Sequence, residues 1–143
     1  MAAKRTAPPK DRFVFILAGG RGERFWPLSR EATPKQLLAI FSRKSLLQET
    51  VERIKGVVPP KNVFVITNES QASAVRKQLP KLPKDNVIVE PCGRNTCPAV
   101  ALAVAIAGAR STTATIAILP ADHWIPEKSE KKFARVLSDC FDL

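Results

Sequence analysis

A chain of 143 residues is the size of one ordinary domain and can bury roughly 68–70% of the surface it exposes when unfolded; its 45% hydrophobic and 25% charged residues are ordinary for a soluble globular protein. No apolar run approaches the ~20 residues of a membrane helix, and no membrane partner is expected. The net charge of +10 invites a nucleic-acid reading. However, the cations are spread over the lead-in, a glycine-rich loop, Lys77 to Lys84 and Lys128 to Lys132, without the interleaved aromatics that stack bases.

Residues 1–11 form a flexible basic lead-in with Pro8-Pro9 and no signal-peptide apolar region, as expected of a cytoplasmic protein. Residues 12–143 hold the folded part. Phe13 to Leu17 is a continuous apolar run, the pattern of a strand buried on both faces. It runs into Ala18-Gly-Gly-Arg-Gly-Glu-Arg24, followed by Lys35. Gly19, Gly20 and Gly22 allow positive φ and close backbone approach, so their amides can converge on an anion, and Arg21, Arg24 and Lys35 bring cations to the same place. This is a phosphate cradle. It lacks the Gly-Lys-Ser/Thr ending of an NTPase P-loop, and Phe25 stands where a dinucleotide fingerprint would have its third glycine.

Gln36 to Phe41 is predicted as a short extended piece. Ser45 and Gln48 have capping-box spacing, and Leu47, Val51, Ile54 and Val58 recur at helical spacing until Pro59-Pro60 stops the helix. Val63 to Thr67 is a second strand. Ala72, Val75 and Leu79 give the inner face of a second helix, which ends at Pro80. A third strand, Asn86 to Glu90, opens into Pro91-Cys-Gly-Arg-Asn-Thr96. Ala99 to Ala109 is apolar on nearly every side and predicts a buried helix after Pro98. Thr115 to Leu119 is a fourth strand, ending in Pro120-Ala-Asp-His-Trp124, and Lys131 to Leu143 contains another helix. Cys92, Cys97 and Cys140 read as small buried or semi-buried thiols, since no second cysteine pair or nearby histidine completes a zinc site.

Alternating strands and helices imply parallel pairing and an α/β sandwich with helices on both faces of a mostly parallel sheet. Ligands of such sheets lie beyond the strands' carboxyl ends. The loops at Gly19 to Lys35, Glu90 to Thr96 and Pro120 to Trp124 should therefore line one crevice.

Three blocks, Leu17-Ala-Gly-Gly-Arg-Gly-Glu-Arg-Phe-Trp-Pro-Leu-Ser-Arg30 with Thr33-Pro-Lys-Gln36, Glu90-Pro-Cys-Gly-Arg-Asn-Thr96 and Leu119-Pro-Ala-Asp-His123, resemble the sugar-1-phosphate nucleotidyltransferases. Within that family they resemble the guanylyltransferase branch. The resemblance implies a Rossmann-like three-layer fold. It also implies transfer of GMP from GTP to mannose 1-phosphate, with GDP-mannose and pyrophosphate as products and Mg²⁺ as cofactor. Members of the family continue well past the Asp-His block, so residues 12–143 are expected to be the N-terminal nucleotide-binding part of a longer domain. The sheet edge and the Ala99 to Ala109 helix would then be poorly covered, and marginal stability or self-association is expected.

On this reading Arg24 and Lys35 are the candidate catalytic cations: Arg24 holds the β- and γ-phosphates, and Lys35 reaches the α-phosphate or the sugar phosphate. The nucleotide is assigned to Ala18, Gly19, Gly20, Gly22, Glu90, Arg94, Asn95 and Thr96. A carboxylate at Glu90 can accept from both N1–H and the 2-amino group of guanine, while Arg94 or Asn95 addresses O6 or the ribose. Asp122 is the candidate Mg²⁺ ligand. His123, the only histidine, is read as structural, because a phosphate nucleophile needs no base. The rival readings are a non-catalytic nucleotide-binding module or inactive fragment, and an NAD-type Rossmann protein, which the glycine spacing and Lys35 disfavour.

Overall fold

The computed structural model describes residues 11–20, 25–30, 33–93 and 95–143. Four strands, β1 (Arg12–Leu17), β2 (Val63–Thr67), β3 (Val87–Val89) and β4 (Thr115–Pro120), form an all-parallel sheet in the order β3-β2-β1-β4. The helices α1 (Leu46–Arg53), α2 (Glu69–Gln78), α3 (Thr96–Arg110) and α4 (Glu127–Cys140) complete a three-layer α/β sandwich. In β1, alternate residues serve opposite layers. Val14 and Ile16 join Leu47, Ile54, Val75 and Leu79 on the α1/α2 face, where Phe133 and Leu137 of α4 also pack. Phe13 and Phe15 join Phe64 and Ile66 under Ala99, Ala103 and Ala107 of α3. The rings of Phe15 and Phe64 stack with centroids 4.9 Å apart.

The register aligns the strands' carboxyl ends: Leu17 pairs with Ile66 and with Pro120, and Thr67 with Val89. Their following loops consequently leave from one edge. At the opposite end, Arg12 forms an ion pair with Asp142, tying the start of β1 to the segment after α4.

Several expectations need correction. Lys35–Leu37 is a one-turn 3₁₀ helix, with Leu37 N–H donating to Pro34 O at 2.9 Å, and no strand forms over 36–41. The capping box of α1 has both its bonds, Gln48 N–H to Ser45 Oγ at 3.2 Å and Ser45 N–H to Gln48 Oε1 at 2.9 Å. The helix nevertheless ends at Arg53 and not at Val58, because Gly56 takes φ 81° and turns the chain before the prolines. Among α3 residues only Ala99, Ala103 and Ala107 are buried, one stripe at i, i+4, i+8, while Ala101, Val104 and Ala105 face outward. The three cysteines are exposed free thiols rather than buried ones.

Candidate active site at the strand carboxyl ends

The glycine loop leaves β1 under close control. Ala18 is 2% exposed, and its N–H donates to Ile66 O at 2.7 Å, so this amide belongs to the sheet and is not offered to a ligand. Its carbonyl accepts from Gln36 Nε2 at 2.8 Å and from Thr67 Oγ1 at 3.1 Å. The carbonyl of Gly19 accepts from Asn68 Nδ2 at 3.2 Å. That of Gly20 accepts from Gln36 Nε2 at 3.2 Å and from Gln71 Nε2 at 3.3 Å.

Neither Gly19 nor Gly20 adopts positive φ, contrary to the conformational reason expected for them. A Cβ at Gly19 would stand 2.9 Å from Glu90 Oε2, the far end of a flexible, partly exposed side chain that can swing aside. The carboxylate of Glu90 therefore lies directly against the loop. Its backbone N–H continues the β2–β3 ladder by donating to Thr67 O at 2.8 Å, which fixes the point where the chain leaves the sheet. Burial pushes the Glu90 carboxyl up from its ordinary value.

A cleft of about 570 Å³ lies beyond the strand ends, lined by Gly19, Gly20, Asn68, Glu90, Asn95 and Thr96. Asn95 and Thr96 are exposed at the start of α3. Asn95 takes φ 65°, a left-handed conformation in which its side chain makes no cap bond to the helix. On the other side of Glu90 a second opening of about 690 Å³ is bounded by Trp26, Arg30, Gln71 and Cys92. Asn68, Glu90 and Gly93 line both openings.

Lys35 and Asp122 meet on the β4 side. Lys35 Nζ is 3.5 Å from Asp122 Oδ2 and 4.4 Å from the centre of the Phe25 ring, so carboxylate and aromatic face together hold the ammonium. Asp122 follows β4 directly, where Ala121 N–H extends the ladder to Leu17 O at 3.1 Å. Among the described residues no group of three or more His, Cys, Asp or Glu could hold a metal ion. A single half-exposed carboxylate fits a magnesium ion that takes its remaining ligands from phosphate and water, and does not fit an all-protein cage.

The structure therefore brings Gly19, Gly20, Glu90, Asn95 and Thr96 to one cleft, and pairs Lys35 with Asp122 at the same end of the sheet. Gly22, Arg24 and Arg94 lie outside the described residues. His123 is exposed and contributes its carbonyl, which accepts from Arg53 Nη1 at 3.4 Å. Arg53 is 5% exposed, with the Phe133 ring 5.6 Å from its guanidinium carbon; its Nε and Nη2 are buried with no hydrogen-bond partner among the described residues. Burial lowers its pKa, opposed by the charges of Glu130 and Glu49.

Sequence reasoning missed Thr67, Asn68, Gln71 and Arg53. For Gln71 a signal existed. It shares the inner face of α2 with Ala72 and Val75, and a polar residue on an otherwise apolar helix face needs a partner inside.

The nucleotidyl transferase family model matches residues 14–139. A mannose-1-phosphate guanylyltransferase of Escherichia coli is 46% identical over 112 residues, covering 77% of this chain and 24% of that protein. The alginate biosynthesis protein AlgA of Pseudomonas putida is 39% identical over 127 residues, covering 86% and 26%. Among solved structures, a Thermus thermophilus protein described as a mannose-1-phosphate geranyltransferase superposes with a TM-score of 0.78 at 36% identity, covering 92% of this chain and 38% of that one. The chain thus spans about a quarter of the length of the curated relatives it matches.

Proposed function

The chain belongs to the nucleotidyl transferase family, and from that premise we propose that it forms the nucleotide-binding part of a mannose-1-phosphate guanylyltransferase. The reaction joins a phosphate oxygen of mannose 1-phosphate to the α-phosphorus of GTP. The bond from that phosphorus to the β-phosphate oxygen breaks, and pyrophosphate leaves with the electron pair. The observation that carries this reading is the meeting of the glycine loop, the Glu90 carboxylate and the Lys35–Asp122 pair beyond the carboxyl ends of parallel strands.

In this reading the Gly19 and Gly20 amides, with Gly22 and Arg24 of the same loop, receive the β- and γ-phosphates and stabilise charge on the departing pyrophosphate. Lys35 already stands at the β4 end of the site, and a swing of its four-carbon stem carries the ammonium to the α-phosphate or the sugar phosphate. Glu90 accepts from the N1–H and 2-amino group of guanine, with Arg94, Asn95 and Thr96 at the ribose and O6 side. Asp122 would hold a magnesium ion shared with the phosphates; such an ion, when bound, supplies neutralisation of phosphate charge. The names of the relatives support guanine and mannose 1-phosphate as base and sugar.

The test is pyrophosphate release from the protein incubated with GTP, mannose 1-phosphate and Mg²⁺, beside calorimetric binding of GTP and ATP. For this chain the expected result is Mg²⁺-dependent GTP binding that Asp122→Ala weakens, with Glu90→Gln eroding the preference for GTP over ATP; pyrophosphate release is expected of a protein that also carries the remaining length of the relatives. Equal affinity for GTP and ATP, or GTP binding that Asp122→Ala leaves unchanged, would point instead to a nucleotide-binding module without the guanylyltransferase site. An unaltered base preference in Glu90→Gln would remove the guanine contact from the proposal.

A further inference from the structure

We propose that Gln71 of α2, by orienting the carboxamide of Gln36 that holds the Ala18 carbonyl, is a positioning residue that aims the Gly19 amide of the glycine loop at the nucleotide phosphates. The inference rests on the phosphate-binding reading of that loop. It begins from two buried side-chain amides, Gln36 at 4% exposure and Gln71 at 2%, whose carboxamides meet through a bond from Gln36 Nε2 to Gln71 Oε1 of 2.8 Å. A buried amide costs free energy unless its donors and acceptors are used. Here the donors turn to the loop: Gln36 Nε2 to the carbonyls of Ala18 and Gly20, and Gln71 Nε2 to that of Gly20.

The consequence follows from peptide geometry. In a planar trans peptide the C=O of one residue and the N–H of the next point in opposite directions. Holding the carbonyl of Ala18 inward with Gln36 and Thr67 turns the N–H of Gly19 outward. Holding the carbonyl of Gly19 with Asn68 Nδ2 does the same for the N–H of Gly20. No backbone carbonyl among the described residues takes either amide. The polar side chains thus grip the oxygen side of the loop and leave the nitrogen side for an anion, which is the arrangement a phosphate requires.

The grip also sets the loop against the other parts of the site. Asn68 caps α2, its Oδ1 accepting from the N–H of Gln71 at 3.0 Å, so both α2 residues that touch the loop are fixed by one turn of helix. Gln36 follows Lys35 within the same 3₁₀ turn, so the amide that holds the loop also sets where the ammonium begins. Gln71 lies in none of the sequence blocks that mark the site. Its function is visible only in the fold.

Calorimetry with GTP, inorganic tripolyphosphate and guanosine, performed on the intact protein and on Gln71→Met and Gln71→Glu, tests the inference. Gln71→Met removes both amide bonds, while Gln71→Glu keeps the acceptor for Gln36 and loses the donor to Gly20. The expected result is about a tenfold weaker binding of GTP and tripolyphosphate in both variants, in line with the loss of one or two buried hydrogen bonds, with guanosine affinity unchanged. Equal losses for guanosine and GTP would mark Gln71 as merely structural and overturn the inference, as would wild-type GTP affinity in both variants. If Gln71→Met fails to fold, the neutral variant Gln71→Asn, too short to reach Gln36, decides in its place, since the added charge of Gln71→Glu by itself repels phosphate. Failure of the wild-type protein to bind tripolyphosphate or GTP would overturn the phosphate reading itself, and this inference with it.

Discussion

Gly19 and Glu90 show how the size of one residue bears on another's position. Since the carboxylate occupies the space a methyl group would need, Gly19→Ala must displace either Glu90 or the loop. GTP affinity is expected to fall, by up to about tenfold, because the Glu90 carboxylate swings from its place at the loop while the fold keeps its stability, whereas Gly20→Ala meets no atom within 4 Å and should leave both undisturbed. Thermal melting beside calorimetry separates the two effects. The raised pKa of Glu90 carries a second prediction. Below the ordinary carboxylate range the residue is protonated in folded and unfolded chain alike and costs nothing; as pH rises, the unfolded chain ionises first and the folded state loses stability through the higher folded pKa. Glu90→Gln should therefore stabilise the free protein at pH 7 and not below about pH 4, where the unfolded carboxylate is protonated. Urea unfolding over that range checks it, and a pH-independent difference would refute the burial argument. The positions of Glu90 and Asp122 past the ends of their strands were legible because each charge closely follows an apolar run, while Lys35 was legible only as a cation of the long loop after Gly19. The partnerships of Gln36 with Gln71 were not, since their spacing of 35 residues is closed only by tertiary packing.

At the scale of elements, local chemistry was the readable part. The α1 capping box occurs where Ser45 and Gln48 promised it, and the buried Ser45 Oγ also donates to Gln78 Oε1 at 2.6 Å, linking the start of α1 to the end of α2. Ser45→Ala removes the cap and strands that link, so a loss of about 1–2 kcal/mol is expected, measured as a shift of the urea midpoint at constant slope. Gln48→Ala, which removes the reciprocal bond and the contact of Gln48 Nε2 with Gln78 O, should be destabilising in the same direction. Elements whose character depends on neighbours read less well. The 36–41 segment has strand-like apolar content, yet its start is wound into a 3₁₀ turn that buries Gln36 and Leu37. The composition of α3 promised burial all round, while its packing against the sheet fully buries only the alanine stripe, with Ile106 partly buried beside it. Hydrophobicity records what a helix can cover, and the number of layers present decides what is covered.

For the molecule as a whole, two opposing features meet. On one side stand the outward face of α3, with Val104 53% exposed, and β4, whose outer edge pairs with no strand among the described residues. Both favour association, the first by apolar burial and the second by unpaired backbone groups. Against them stands a net charge of +10, which repels like copies. Salt decides between the two because it weakens only the second: the screening length falls from about 30 Å at 0.01 M to about 8 Å at 0.15 M, while apolar burial is untouched or strengthened. The 143-residue chain is therefore expected to sediment as a monomer at about 10 mM salt and to self-associate as ionic strength rises, with Val104→Lys shifting the transition to higher salt and protein concentration. Sedimentation velocity across a salt series reads the outcome directly. Association strongest at low salt would mean that attraction between opposite charges, rather than the uncovered face and edge, holds the copies together.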